Sequence, residues 1–548
     1  MRWLSIFPLV LALAGLLPML AGLGGIALPA FYSETTAQLS LEYWRNLFAW
    51  PGLAESLALS LFSSIFSTII ALILGINLAG IAYCTPQWRR WLSPASALLA
   101  IPHAAWGAGL VLLLAPSGWL LRLFSPWLTG LQRPPDWLLI NDPYAISLTL
   151  AIALKEIPFI LLMVLSIAKP LNIDRQLQII CSLGYSPLDG WHKVIVPQLL
   201  PQLRLPIYAL LAYSLSIVDI SLLIGPSRPP TFALLIWQWL TDPQLLMQGH
   251  AAAGALLLLS VTLLLMCIYR LSETLWLAIN KMRFTGNRKV RRAWSMPIWI
   301  VGLLITLGAY LTLMLWSIAQ RWRFPSTLPE KISLDTWLQT IGTLKAPLLD
   351  TVFIAAIAIF MSLILVLGIL EWQKRYNRNI PVFLLLSPLL LPQLSLMFGL
   401  QVMAARFNLL GHFGLLVWGH ILFIFPYIYL SLRGAWESYD ERLTQIGISL
   451  GKNHWQLFWH IKLPLLSHPI CTAAALGFAV SLGLYLPTLA LGAGRVSTLA
   501  TETVAYASGI DRKLAAVSAL WQTLLPLIVF ISLTRRTYTH KYAAARSR

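Results

Sequence analysis

Apolar residues run along this chain in long blocks rather than in alternating or heptad positions. Such blocks lie near 7 to 28, 57 to 83, 95 to 115, 146 to 168, 203 to 224 and 251 to 269. A second series lies near 297 to 319, 351 to 370, 381 to 403, 414 to 432, 468 to 490 and 515 to 533. A helix of roughly 20 apolar residues crosses the hydrocarbon of a bilayer and satisfies its own backbone hydrogen bonds, so each block predicts a membrane span. The pattern predicts an all-α polytopic membrane protein of about twelve transmembrane helices, arranged as six and six. The first block follows only Arg2 and is long enough to span, so it reads as a retained helix rather than a cleaved leader.

Composition agrees with this picture: 58% of the residues are hydrophobic and 11% charged, a make-up that water would not tolerate on a soluble surface. The formal net charge of +19 would suggest nucleic acid in a soluble chain. Here the Lys and Arg residues sit in short connections between apolar blocks rather than on one basic face, which argues against nucleic-acid binding. With the N-terminus inside, most of the 39 fall in cytoplasmic connections, so both termini are expected in the cytoplasm. The segment 281–296 is the expected basic linker between transmembrane domains at 1–280 and 297–548. The 24 Trp and 17 Tyr often end the apolar blocks, as interfacial belts require. Cys84, Cys181, Cys267 and Cys471 lack metal-ligand spacing and are expected to pack in or beside spans.

The two halves match in register. Residues 176 to 201 read QLQIICSLGYSPLDGWHKVIVPQLLP, and residues 443 to 468 read LTQIGISLGKNHWQLFWHIKLPLLSH. Gln178 corresponds to Gln445, Gly184 to Gly451, Val194 to Ile461 and Pro197 to Pro464, always 267 positions apart. Gly225, Arg228 and Thr231 keep that offset to Gly492, Arg495 and Thr498, while Pro102 and Gly109 match Pro392 and Gly399 at an offset of 290. An ordered series of this kind indicates a duplicated six-helix unit. In each copy a helix before the Gly, a turn with positive φ at the Gly, and a second short helix ended by Val196-Pro197 or its counterpart would form a helical elbow.

These residues are similar to the loop of binding-protein-dependent ABC importer permeases: Glu-Ala-Ala, three residues, Gly, nine residues, Ile, one residue, Leu-Pro. The Gly and the aliphatic-x-aliphatic-Pro spacing fit in both halves, whereas Gln178-Ile179-Ile180 and Gln445-Ile446-Gly447 stand in place of Glu-Ala-Ala. The chain resembles the fused permeases of the iron(III) and thiamine type, in which one chain carries both membrane domains. That resemblance implies the type I ABC importer permease fold in the bacterial inner membrane. It also implies two copies of a cytoplasmic ABC ATPase that bind the ATP, with no cofactor in this chain, and a periplasmic or lipid-anchored solute-binding protein. The coupling loops would comprise Gln178, Gly184, Trp191, Val196 and Pro197 in the first half. In the second they would comprise Gln445, Gly451, Trp455, Phe458, Trp459, Leu463 and Pro464. Their short helices, near 185 to 193 and 452 to 460, would seat on the ATPases with the large aromatics as anchors. Iron(III), thiamine and other small solutes are all open as cargo.

No GxxxxGK[ST] occurs, and neither HExxH nor a nucleophile elbow lies on a span, so no enzymatic activity is expected of the chain itself. Few polar residues fall inside the apolar blocks. Lys155, Glu156, Asp219, His103 and His420 are candidates for the pathway or a gate, or else for interhelical pairing that fixes the fold. Lys155 and Glu156 are neighbours, point to different faces and need separate partners. The alternative function is an ion-coupled secondary transporter, also built from six-helix repeats.

Overall fold

The computed structural model describes residues 2–33, 38–168, 171–282, 294–509 and 511–546. Almost all of it is helical; the strands form two short antiparallel hairpins, Tyr32–Ser33 with Gln38–Leu39 and Ala319–Arg321 with Lys331–Ile332. One hairpin follows the first long helix of each half. Among the described residues nine helices are long and apolar enough to cross a membrane, and eleven when two bent pairs are each counted as one span. The expected linker 281–296 falls mostly at 283–293, outside the described residues.

The difference from twelve uninterrupted helices has a physical cause. The third block of each half is broken: Ala95–Ala100 stops at Ile101-Pro102 before His103–Leu114, and Ser387–Leu390 stops at Leu391-Pro392 before Gln393–Arg406. Proline pushes the preceding residue out of the α region, and Ile101 and Leu391 are both extended, with ψ of 126° and 146°. The fifth block breaks too, at Ile217 between Arg204–Ser216 and Asp219–Ile224, and at Leu484 between Ser467–Gly483 and Tyr485–Gly492. Ile217 and Leu484 are again 267 residues apart.

Each half lends its first helix to the other. Leu17–Phe31 packs along Gln393–Arg406 of the second half, and Ser295–Ile318 packs along His103–Leu114 of the first. The offset pair Gly109 and Gly399 marks both crossings. A Cβ on Gly399 would strike the Gly22 carbonyl, and one on Gly109 would lie 3.2 Å from the Ala309 Cβ. Small residues at such crossings let helices approach where lipid provides no hydrophobic drive.

The second helices, Leu53–Cys84 and Asp335–Tyr376, give each half its two ends. In the N-terminal half of each, a hydroxyl accepts the first N–H of a later helix: Phe232 N–H to Ser60 Oγ at 2.7 Å, and Leu499 N–H to Thr351 Oγ1 at 2.9 Å. The residues before those donors, Thr231 and Thr498, are the N-caps and belong to the repeated Gly-Arg-Thr series. At the same end Arg122 is buried and donates to the carbonyls of Arg323 and Ser326, tying the long 116 to 144 connection to the second half. The elbows sit at the opposite ends, beside Gly80 and Glu371.

Candidate functional site

Each elbow begins with a helix, Ile173–Ser182 or Glu441–Ser449, that is closed by a left-handed glycine. Gly184 has φ +82° and Gly451 +79°. The Tyr185 N–H reaches the Ile180 carbonyl and the Lys452 N–H reaches that of Gly447, the six-to-one bond of a Schellman cap. The next helix starts on a side-chain cap at equivalent residues, Ser186 and Asn453, which accept the N–H groups of Asp189 and Gln456.

The expectation that Val196-Pro197 ends the short helix is corrected. Trp191–Ile195 and Phe458–Lys462 form wide π-type turns, and the helical path continues through Pro197 and Pro464. A wide turn draws the chain away from the proline ring and absorbs its missing N–H. Sharp bends follow at Leu203 and Leu466, by 66° and 71°.

The role expected of Trp191 is also corrected. It is fully buried, its Nε1–H donates to the Ile76 carbonyl at 3.1 Å, and it lies on Gly80, where a Cβ would come within 2.6 Å of the indole. Val196 is buried and Phe458 half-buried, its ring 6.2 Å from Trp436. Trp191 and Phe458 occupy equivalent positions and are the inward feet of the elbows, so neither is an exposed anchor. Trp455 and Trp459 are exposed, as are Gln178 and Gln445. Pro197 and Leu463 are half-buried and Pro464 exposed.

Four apolar residues missed in the sequence stand out on the elbow surface: Ile179 (55% exposed) with its equivalent Ile446 (57%), and Leu183 (59%) with Leu450 (75%). Their recurrence at the 267 offset was the available signal.

The elbows are fastened differently. In the first, Trp191 is joined by the hydrogen bond of His192 Nε2 to Asn77 Oδ1 at 2.8 Å. In the second, buried Lys462, the counterpart of Ile195, donates to Glu371 at 2.7 Å, lies 3.7 Å from Glu441, and sits 4.4 Å from the Trp436 ring centroid.

A cavity of about 190 Å³ lies between the halves. The four helix breaks converge on it, through Ile101, Val218, Leu391 and Leu484. Non-helical backbone at membrane depth occurs where it is covered by protein or lines a cavity. Of the expected pathway residues, His103, Lys155, Glu156 and Asp219 line it. Lys155 Nζ donates to the Leu98 and Ile101 carbonyls at 2.7 and 2.5 Å; Leu98, which Pro102 denies its regular helical donor, otherwise takes only the Ile101 N–H at 3.4 Å. Glu156 instead meets His103 Nε2 at 3.1 Å, so the neighbours do take separate partners. His420 is absent from the cavity wall: it is buried between Ser481 Oγ and Thr488 Oγ1, at 2.9 and 3.1 Å, as a packing residue. All four cysteines are free.

Comparison with known proteins agrees with this architecture. Residues 376–541 match the model of the binding-protein-dependent transport system inner membrane component. The inner membrane ABC transporter permease protein YnjC of Escherichia coli (strain K12) is 34% identical over 526 residues, covering 95% of this chain and 96% of that protein. A spermidine/putrescine transport system permease protein PotC homolog of Mycoplasma pneumoniae is 27% identical over 203 residues, 36% of this chain and 69% of its own length. The molybdenum transport system permease protein ModB of Haemophilus influenzae is 29% identical over 153 residues, 26% of this chain and 65% of its own length. With two elbows, two exchanged first helices and a relative matched almost end to end, the chain belongs to the binding-protein-dependent ABC importer permeases, as a fused subunit carrying both membrane domains.

Proposed function

We propose that the cavity between the halves is part of the translocation path and that the two elbows are the docking points of a separate ABC ATPase, one copy at each. Permeases of this family transport rather than catalyse, and work with a binding protein and an ABC ATPase. The observation that carries the docking reading is the pairing of exposed apolar residues at equivalent places, Ile179 with Ile446 and Leu183 with Leu450. Apolar surface presented twice in the same geometry fits a partner present twice. Trp455 and Trp459 extend the second patch with the residue type that dominates small interfaces.

In this reading the elbows and both termini lie in the cytoplasm, and a periplasmic or lipid-anchored binding protein meets the opposite end, around 225 to 249 and 492 to 513. ATP stays with the partner subunits and no cofactor is held here. Movement of an elbow would reach the cavity through the bends at Leu203 and Leu466, which lead into the broken fifth helices. The relatives are named for different cargoes, spermidine/putrescine and molybdenum, so cargo is to be read from this chain's own wall.

The test is purification from detergent with identification of the co-purifying ATPase by mass spectrometry. Wild type should retain an ABC ATPase in stoichiometric amount, and Leu183→Glu with Leu450→Glu should lose it while remaining folded and membrane-inserted. Retention by the double variant would reject the elbows as docking points.

A further inference from the structure

The cavity is charged on one wall only. Its charged or titratable lining groups other than phenols, His103, Lys155, Glu156 and Asp219, all come from the first half. The internal repeat sets each wall against its counterpart. Under the 290 offset His103 answers to Gln393, and under the 267 offset Asp219 answers to Leu486 and Tyr213 to Val480; all six line the cavity. The second half therefore places an amide and aliphatic groups where the first places an imidazole, a carboxylate and a phenol. It adds the aromatic faces of Phe423, Tyr427 and Tyr485.

The polar groups of the first wall are unevenly paired. The Lys155 ammonium is committed to the Leu98 and Ile101 carbonyls, and Glu156 is bonded to His103. Asp219, only 8% exposed, makes no ion pair among the described residues. Lys155 is turned into the break of its neighbouring helix and the His103 ring is taken by Glu156, which leaves the Asp219 carboxylate without a cation bonded to it. A buried carboxylate without a cationic partner is costly in a low-dielectric site, and an entering cation removes that cost. The opposite wall is suited to the rest of such a solute, because aromatic faces attract cations and also cover apolar surface.

We propose that this cavity takes a small organic cation, its charged group against Asp219 and Glu156 and its uncharged body on the wall of Phe423, Tyr427 and Tyr485. The inference rests on the reading of the cavity as part of the path. An anionic cargo would meet two carboxylates with the one neighbouring ammonium already engaged, so the wall selects against it.

The experiment uses the full chain in lipid nanodiscs, with thermal unfolding followed by tryptophan fluorescence. The probes are choline and benzyltrimethylammonium, with 3,3-dimethylbutan-1-ol as the neutral isostere of choline and 3,3-dimethylbutyrate as an anion of similar shape. One or both cations should raise the unfolding midpoint in a saturable way, while the alcohol and the carboxylate leave it unmoved. Asp219→Asn should weaken the cation effect at least about tenfold, and Asp219→Glu should retain it. The charge assignment is overturned if neither cation protects, if the alcohol or carboxylate protects equally, or if Asp219→Asn protects as wild type does. Asp219→Asn that does not fold is judged against Asp219→Glu, whose failure to bind either cation would also overturn it. ATPase co-purification reads the elbows alone, so a permease that keeps its ATPase but shows no cation preference refutes only the cargo class.

Discussion

Ile180 lies across Gly190 so closely that a Cβ on the glycine would enter the isoleucine side chain, and 267 residues later the two sizes are exchanged: Gly447 lies under Leu457. The contact between the two arms of the elbow is thus kept in both halves with large and small partners reversed.

Gly190→Leu alone should overpack the first elbow by about 1–3 kcal/mol, the usual cost of forcing extra methylenes into a filled contact. Adding Ile180→Gly should recover much of it, because the pair then has the sizes found at 447 and 457. ATPase co-purification and the unfolding midpoint of the single and double variants measure this. A double variant no better than Gly190→Leu would show that the two positions do not share one contact.

At Gly184 and Gly451 the backbone is left-handed, where a β-branched side chain costs roughly 1–2 kcal/mol or more per position. Gly184→Val with Gly451→Val should abolish uptake while leaving membrane insertion intact. Unchanged uptake in cells would mean that the cap geometry does not set the elbow.

Lys155→Met should lower stability by about 1–3 kcal/mol, chiefly through the Ile101 carbonyl, since Leu98 keeps the Ile101 N–H. The unfolding midpoint measures it. A neutral result would show that Leu98 and Ile101 find other donors and that the ammonium does not hold the broken third helix.

His420→Asn should keep uptake near wild type while losing stability, because His420 bonds Ser481 and Thr488 away from the cavity. A collapse of uptake with the unfolding midpoint unchanged would return His420 to the path.

Salt should separate the elbows. Lys193 and Asp189 pair inside the first elbow, but Lys462 holds the second through partly exposed Glu371 and Glu441, whereas Trp191 and His192 hold the first through hydrogen bonds to Ile76 and Asn77. Raising ionic strength screens the former and not the latter. Amide hydrogen exchange should therefore speed up more at 454 to 466 than at 187 to 202; an equal response in both would refute the distinction.

Much of this was legible because it is written locally. A cap glycine, the Ser or Asn that restarts the helix and the proline beyond it lie within some fifteen residues, and a duplicated offset of 267 exposes them. The direction in which Trp191 points was not legible, since helix phase after the elbow depends on the glycine φ and on the wide turn at Trp191–Ile195. The breaks at Pro102 and Pro392 carry a residue-level signal, but those at Ile217 and Leu484 fall on aliphatic residues and carry none. The exposure of Ile179 and Leu183 was not legible, because nothing in an apolar residue says that its face lacks a neighbour. Lys155 could not be assigned between gate and scaffold until the break 54 residues upstream supplied its acceptors.

The exchange of first helices bears on how the protein is made. Leu17–Phe31 leaves the ribosome early, yet the surface that receives it, Gln393–Arg406 with Gly399 at its centre, is synthesised more than three hundred residues later. Through most of translation that helix must wait in lipid with Gly22 and Gly25 uncovered. Neither half can finish packing before the other is present, and cutting the chain near its middle would yield two fragments that each need the other to complete their own interior.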